Sequence, residues 1–347
     1  MRVLVIGGTG FIGRFVTPRL LDAGHDVAVL QRPESAKPLP NGARSLRGDR
    51  HNLFESADAL REFAPDVVVD LILSSGRQAA ALVGVFGGHA GRVVVASSID
   101  VYRAMDVVHR REEGPLEPLP LREDSPLRSK LHPYPASQVR AMQQIFAWLD
   151  EEYDKIPVEQ AVLADAELPG TVLRLPMIYG PGDPRHRFFP MLKRMEDRRP
   201  VIVLPRSVAD WRSPRGDVEN IAAAIVLAAT TDRARGRIYN VAEAESFSEL
   251  EWARMLGEVI GWSGELVVVE DDEAPASVRI PGNLAQHLVA DTTRIRSELG
   301  YREPVAREEA IRRTVVWQRE NPPLVFDPAW FDYDAEDEAA RRAKAHR

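Results

Sequence analysis

Short apolar runs alternate with stretches of helical periodicity along the first half of the chain. Residues 3–6 form a β-branched apolar run that is typical of a strand buried on both faces. Apolar residues then recur at helical spacing from Phe15 to Leu21 and stop at Gly24, a common helix C-cap. Further apolar runs predict strands near residues 26–32, 46–49, 65–73 and 91–98. This alternation predicts an α/β fold with a doubly wound parallel sheet.

Three glycines follow the first predicted strand at once. Gly7, Gly10 and Gly13 have the spacing G-x-x-G-x-x-G and stand between that strand and the first helix. Glycine lets the backbone turn tightly and approach a pyrophosphate, and the helix N-terminus offers free N–H groups and a positive dipole end. An ordinary strand–helix turn can also carry glycines. Because strand, turn and helix are all present, we predict dinucleotide binding.

The end of the second predicted strand bears on the choice of dinucleotide. A site selective for NAD usually places an acidic residue there to bind the ribose 2′-hydroxyl. Here Gln31 and Arg32 occupy that position. A guanidinium suits a 2′-phosphate, so the sequence favours NADP over NAD, unless Arg32 stacks on the adenine or faces water. Asp49, at the end of the third predicted strand, is expected near the adenine.

Composition narrows the class of protein. The chain has 347 residues, of which 44% are hydrophobic and 28% charged, as in soluble globular proteins of one large or two ordinary domains. It lacks cysteine, which excludes disulfides and thiolate chemistry and fits a cytoplasmic location. We expect no membrane segment, because no apolar run approaches the length of a span. A net charge of −7 without a basic block argues against nucleic-acid binding, and the histidines show no metal-ligand spacing.

Three motifs together resemble one family. They are the loop Gly7-Gly-Thr-Gly-Phe-Ile-Gly13, the strand end Ser97-Ser-Ile-Asp-Val-Tyr102, and the later stretch Val172-Leu-Arg-Leu-Pro-Met-Ile-Tyr-Gly-Pro-Gly182. The chain resembles the extended short-chain dehydrogenases/reductases of the NAD-dependent epimerase/dehydratase family. Tyr239-Asn-Val241 and residues 291–300 match weaker landmarks near the C-terminus.

The resemblance implies a domain organisation and a substrate class. We expect a Rossmann-type doubly wound parallel sheet in an NAD(P)-binding domain of residues 1–178, to which 215–243 return. Residues 179–214 and 244–325 are expected to form a smaller C-terminal substrate lobe. Residues 326–347 are rich in charge and alanine and predict a frayed helical or disordered tail. The family also implies a homodimer and a nucleotide sugar or related polyol as substrate.

Catalysis in this family uses a Ser or Thr, a Tyr and a Lys. The tyrosine transfers a proton, and the lysine binds the ribose and lowers the tyrosine pKa from about 10. Ser98 occupies the serine position. Lys155 and Glu159 reproduce the family's Lys-x-x-x-Glu, but Tyr153 precedes the lysine by two positions rather than four.

That departure leaves the identity of the acid/base open. Positions two apart point to different sides of a helix, so Tyr153 and Lys155 can face one ligand only if Tyr153 precedes the helix. Pro157, suited to a first helical turn, is consistent with this arrangement. The alternative is Tyr134, whose context resembles the family motif but has Gln138 in place of the lysine. We predict Ser98, Tyr153 and Lys155 as the catalytic residues.

The resemblance also implies the cofactor contacts. They are Gly7, Thr9, Gly10, Phe11, Ile12, Gly13, Arg32, Asp49, Leu71, Ser97, Lys155 and Pro176.

The reaction itself stays open at this stage. Family dehydratases carry an Asp-Glu pair after the serine position, whereas this chain has Ile99 and Asp100 and so only one carboxylate. Epimerase or oxidoreductase chemistry needs no such pair. A keto-reductase using NADPH and a non-catalytic NAD(P)-binding regulator are the alternatives. Six basic residues would suit a nucleotide diphosphate or form a solvated face: Arg185, Arg187, Lys193, Arg206, Arg212 and Arg215.

Overall fold

The computed structural model describes residues 1–32, 34 and 37–345. The strands are β1 (Arg2–Ile6), β2 (Asp26–Gln31), β3 (Arg44–Arg47), β4 (Val67–Asp70), β5 (Val93–Ser98), β6 (Gly170–Leu175), β7 (Met177–Tyr179), β8 (Val201–Pro205), β9 (Arg215–Asp217), β10 (Ile238–Asn240) and β11 (Glu265–Val269). The helices are α1 (Gly13–Asp22), α2 (Ala57–Glu62), α3 (Gly76–Phe86), α4 (Arg103–Val108), α5 (Ala136–Ile145), α6 (Lys155–Ala164), α7 (Phe189–Glu196), α8 (Arg206–Asp210), α9 (Val218–Thr230), α10 (Glu249–Ile260), α11 (Thr293–Leu299), α12 (Arg307–Glu320) and α13 (Tyr333–Ala345).

Seven strands form the central sheet in the order β10-β6-β5-β4-β1-β2-β3. Every neighbouring pair in this sheet is parallel. The chain runs outward from β1 to β3 and then returns to the other side of β1 with β4. This reversal opens a crevice at the carboxyl ends of β1 and β4, where ligands of such sheets bind. The predicted Rossmann-type, doubly wound parallel sheet is confirmed.

Helices cover both faces of the sheet. On one face α1 and α9 pack through residues such as Leu20 and Ile225. On the other face α3 and α6 pack through residues such as Leu82 and Val158. The central strands are therefore buried on both sides, which explains why residues 3–6 of β1 form an unbroken apolar run in place of an alternating pattern.

A smaller lobe follows the sheet domain. Its β8 and β11 pair in parallel, and its helices α7, α10 and α12 share an apolar core that includes Leu192, Trp252 and Ile311. Helix α10 begins at a capping box in which Ser248 and Glu251 exchange hydrogen bonds. The return to the large sheet is made by β10 beside β6, whereas β9 pairs with β7 outside that sheet.

The predicted charged tail is ordered over most of its length. The helical alternative is the one observed, as α13, but this helix is packed rather than frayed, with Ala339 and Ala340 against β8 and β11. The carboxylate of Glu336 is buried and pairs with Arg194 at 2.7 Å. Small alanines at helical spacing let this helix approach the strands closely, and the ion pair fixes its position. Residues 346 and 347 lie outside the described residues.

Candidate active site

A glycine cradle connects β1 to α1. Gly7 has a φ of +86°, a backbone conformation that favours glycine. A Cβ atom on Gly13 would lie 2.1 Å from the main-chain oxygen of Gly7, so only glycine permits this close packing. Helix α1 begins after Ile12, and no side chain of the described residues caps it. Its N-terminal N–H groups and the narrow turn fit a dinucleotide pyrophosphate.

The cradle opens into a cleft of about 480 Å³ at the carboxyl edge of the sheet. Most of the predicted cofactor contacts line this cleft: Gly7, Thr9, Gly10, Phe11, Ile12, Gly13, Arg32, Asp49 and Leu71. The structure thus brings together residues from the ends of β1, β2, β3 and β4. The sequence reasoning missed Arg14, Arg50 and the segment 145–148, which also line it.

Three predicted cofactor contacts lie outside the lining of the cleft. The hydroxyl of Ser97 donates a hydrogen bond to Glu159 at 2.5 Å within the protein interior. Lys155 is buried, and its ammonium donates hydrogen bonds to the main-chain oxygens of Ala96, at 2.9 Å, and Leu73. Pro176 lies between β6 and β7, beside Gly216. These residues support the floor of the site at the ends of the strands.

Cationic groups predominate among the charged residues of the cleft. Arg32 is half-exposed at the end of β2, with its Nε 3.5 Å from Glu34, and Lys37 lies on the same wall. Arg50 is buried, with its Nε 2.9 Å from Asp70. Arg14 stands at the start of α1. This excess of positive charge suits a polyphosphate ligand.

Helix α6 places the predicted catalytic residues. Asp154 caps the helix by accepting a hydrogen bond from the N–H of Ile156, so Tyr153 precedes the first helical residue, Lys155. Tyr153 lies outside the helix, so helical geometry does not force its side chain to point away from that of Lys155. The Lys155 ammonium nitrogen lies 5.9 Å from the centre of the Tyr153 ring.

The hydroxyl partner of Tyr153 is a carboxylate. The Tyr153 hydroxyl donates a hydrogen bond to Oδ2 of Asp100 at 2.8 Å. Burial and the adjacent Asp100 raise the pKa of Tyr153 well above its usual value. Burial also raises the pKa of Asp100, although Arg128 opposes this shift. Tyr153 is consequently a neutral phenol near pH 7 and a weaker acid than an exposed tyrosine.

Lys155 experiences the opposite shift. Burial lowers its pKa to about 8, against the attraction of Asp100, Asp70 and Glu159. The family lysine acts on the tyrosine through its positive charge, whereas here Asp100 lies closer to the Tyr153 hydroxyl and opposes that effect.

Ser98 and Tyr134 complete the cluster. Ser98 ends β5 half-buried, and its hydroxyl accepts a hydrogen bond from the N–H of Asp100 at 3.2 Å. Tyr134 stands 5.7 Å from Tyr153 between ring centres, and its hydroxyl lies 3.4 Å from the same Asp100 oxygen. Both tyrosines considered from the sequence therefore meet one carboxylate.

Most of the six basic residues considered for a diphosphate are engaged within the protein. The ion pairs are Arg187 with Asp183, Lys193 with Asp197, Arg206 with Glu270, Arg212 with Glu251 and Arg215 with Glu249. Among the described residues, Arg185 alone of the six has no ion pair. This pattern favours a network of internal and surface pairs over a ready clamp for a diphosphate.

The site carries no candidate metal cluster, and no helix has the length and apolarity to cross a bilayer, as far as the described residues extend.

Comparison with known proteins places the chain in a family. Residues 3–242 match the model of the NAD dependent epimerase/dehydratase family, and the chain belongs to that family. A curated relative, 2'-dehydrokanamycin reductase of Streptomyces kanamyceticus, is 36% identical over 99 residues, which cover 28% of each chain. The chain spans from about a quarter to about half of the length of the first curated relatives it matches.

Two solved structures share the fold across nearly the whole chain. The epimerase Mth375 of Methanothermobacter thermautotrophicus has a TM-score of 0.65 and 20% identity, with 92% of each chain covered. MoeE5 in complex with UDP-glucose and NAD has a TM-score of 0.63 and 22% identity, with 93% of this chain and 100% of MoeE5 covered. At these identities the likeness concerns the fold.

Proposed function

We propose that this protein is an NAD(P)-dependent epimerase or oxidoreductase that acts on a nucleotide sugar or related polyol. One observation carries the proposal: a cleft that fits a dinucleotide lies beside a buried Ser–Tyr–Lys cluster at the same edge of the sheet. Leu71 and Ile72 line the cleft, and the next residue, Leu73, binds Lys155. A nicotinamide bound in the cleft would supply the hydride chemistry, and the Ser–Tyr–Lys cluster would transfer the accompanying proton.

Each residue of the cluster has a distinct proposed role. Tyr153 exchanges the proton with the reacting oxygen of the substrate, and the Ser98 hydroxyl hydrogen-bonds that oxygen. A lysine ammonium has three N–H donors, and two of those of Lys155 bind main-chain oxygens. The third remains for a ribose hydroxyl of the cofactor. Lys155 is thus proposed to position the cofactor.

Carbonyl reduction with NADPH is the second candidate, and two observations favour it. Tyr153 is held as a phenol by burial and by Asp100, so it carries the proton that a carbonyl oxygen takes up on reduction. Arg32 and Lys37 on the wall of the cleft suit a 2′-phosphate. The relative that reduces 2'-dehydrokanamycin supports this direction.

The nucleotide sugar is supported by family membership and by the fold shared with MoeE5, whose structure holds UDP-glucose. Five of the six basic residues considered for a diphosphate already form ion pairs within the protein, so they add little support for a nucleotide sugar. A homodimer also belongs to the proposal, on family resemblance, as does a cytoplasmic location, on the lack of cysteine. Light scattering on the purified protein tests the dimer.

The decisive experiment compares two tyrosine variants. Wild type is assayed with UDP-glucose and NAD or NADP, and with phenanthrenequinone and NADH or NADPH. We expect Tyr153→Phe to lower kcat by about 10²- to 10⁴-fold, with unchanged cofactor affinity. Tyr301→Phe, a buried tyrosine that donates to the main-chain oxygen of Asn220 away from the site, is the matched control and should retain activity. Equal rates in both variants would remove Tyr153 from the mechanism, and an inactive wild type that binds dinucleotide would favour a regulator.

A further inference from the structure

Two tyrosines converge on one buried carboxylate. Oδ2 of Asp100 accepts a hydrogen bond from Tyr153 at 2.8 Å and a longer one from Tyr134 at 3.4 Å. The other carboxylate oxygen, Oδ1, is buried and has no hydrogen-bond partner among the described residues. Asp100 is 5% exposed, so its carboxylate depends on these few neighbours. A buried carboxylate oxygen without a hydrogen-bond partner is unfavourable, which suggests that Asp100 has a functional role.

We propose that Asp100 and Tyr134 form a proton relay that connects Tyr153 to solvent. The relay rests on the proposed function, because it assumes that Tyr153 exchanges a proton with a substrate oxygen. Asp100 and Tyr134 act through Tyr153 and are positioning residues for its proton.

Burial decreases along the relay. Tyr153 and Asp100 are buried, whereas Tyr134 is half-buried. The ring of Tyr134 meets the edge of His109, which is exposed, at 6.1 Å between ring centres. Of the three groups of the relay, Tyr134 is therefore the most exposed residue. A proton on Tyr153 has a path outward through the carboxylate and the second phenol.

Lys155 is poorly placed to provide that path. Its ammonium donates to the main-chain oxygens of Ala96 and Leu73 and is 5.9 Å from the centre of the Tyr153 ring. The hydroxyl of Tyr153 instead points to Asp100. The tyrosine is thus coupled to the carboxylate more directly than to the lysine.

The groups that face Asp100 set its charge. Arg128 donates to the main-chain oxygen of Asp100 at 2.6 Å and is itself paired with Asp154 at 2.9 Å. Arg128 and Lys155 favour the ionised carboxylate, whereas Asp154 and burial disfavour it. The two tyrosines complete these surroundings on the side of the site. Burial acts most strongly and raises the pKa of Asp100, which eases protonation of this carboxylate relative to an exposed one.

The relay moves protons and leaves the electrons of the protein unchanged. In the direction of carbonyl reduction, the O–H bond of Tyr153 breaks as an O–H bond forms on the substrate. The phenolate takes the proton of the Asp100 carboxyl group, and the carboxylate then takes the proton of Tyr134. Water protonates Tyr134. Each step breaks and forms one O–H bond, so one proton passes from solvent to the substrate oxygen.

The link is tested without substrate by fluorine NMR on the full-length protein. A fluorinated tyrosine is placed at position 134 or 153, and each resonance is followed against pH. We expect Asp100→Asn to shift both resonances and both titrations, because both hydroxyls lose the carboxyl group that they share and that can take up or release a proton. Asp232→Asn, at an exposed pair with Arg235, is the control. If the chemical shift and the titration of fluorinated Tyr134 are the same in Asp100→Asn as in wild type, the relay is wrong.

A milder variant covers the case in which Asp100→Asn does not fold. Tyr134→Phe removes only a hydroxyl, and we expect it to shift the titration of fluorinated Tyr153 through the shared carboxylate. An unchanged Tyr153 titration in this variant would also overturn the relay, whether or not any substrate is turned over.

Kinetics then separate a relay from a structural role. With phenanthrenequinone and NADPH, Tyr134→Phe should lower kcat about tenfold at constant KM for NADPH. Imidazole, a small proton donor, should restore part of that loss at the half-buried position. Loss without rescue would indicate a structural role and contradict the relay. If wild type reduces neither probe, the proposed function fails on its own, and the NMR titrations still decide whether the three groups are coupled.

Discussion

The ammonium of Lys155 donates a hydrogen bond to the main-chain oxygen of Ala96 at 2.9 Å in the protein interior. A second bond to the oxygen of Leu73 ties the start of α6 to the segment that follows β4. Lys155 therefore links the segments that end β4 and β5, in addition to the role in cofactor positioning that we propose for it.

This burial predicts an unusual pH dependence of stability. Burial lowers the pKa of Lys155 to about 8 from its ordinary 10.5, so between these values the unfolded chain binds more protons than the folded one. The free energy of unfolding should therefore rise with pH across that range, by at most about 1.4 kcal/mol per pH unit from this group. Urea denaturation of wild type and Lys155→Met from pH 7 to about 10 measures it. A difference between the two proteins that stays constant with pH would contradict the shift.

A buried ion pair predicts a large loss of stability. Arg174 and Glu159 lie 2.8 Å apart between β6 and α6, and both are buried. Glu159→Gln leaves the Arg174 charge without its counter-ion, so we expect the free energy of unfolding to fall by about 3–5 kcal/mol. Asp232→Asn breaks the exposed pair with Arg235 and should cost less than about 1 kcal/mol. Similar urea midpoints for the two variants would show that the buried pair is not needed.

Arg32 predicts the choice of dinucleotide. If its guanidinium binds a 2′-phosphate, Arg32→Gln should weaken NADPH binding about tenfold, or about 1.5 kcal/mol, and leave NADH binding unchanged. Arg44→Gln is the control, because Arg44 is exposed on neighbouring β3 and pairs with Asp26. Fluorescence titration with both cofactors gives the four affinities. Equal effects on NADH and NADPH would assign Arg32 to the adenine or to solvent.

The fold could be predicted from the sequence because the patterns that indicate it are local. Apolar runs and the glycine turn predicted β1, α1 and the parallel sheet. The position of Lys155 was also accessible, since Glu159 and Arg174 follow it at spacings that one helix and one strand dictate. Pro157 was consistent with Tyr153 preceding that helix, as the structure shows.

What escaped prediction depends on contacts between distant parts of the chain. The bond from Tyr153 to Asp100 joins residues 53 positions apart, and no pattern near either residue signals it. The buried pair of Arg50 with Asp70 is hidden for the same reason. Alanines near the C-terminus resembled a disordered tail, because the strands on which α13 packs lie far away in sequence.

Dinucleotide binding in the glycine cradle underlies every role proposed for this protein. Isothermal titration calorimetry of NADPH and NADH measures this binding directly. A Cβ on Gly13 would strike the backbone of Gly7 and Gly8, so Gly13→Ala should abolish detectable binding. Gly257→Ala, in α10 and away from the cleft, should bind as wild type does. We expect one dinucleotide-binding site per chain in wild type and in Gly257→Ala. Absence of binding in wild type, or undiminished binding in a folded Gly13→Ala protein, would contradict it.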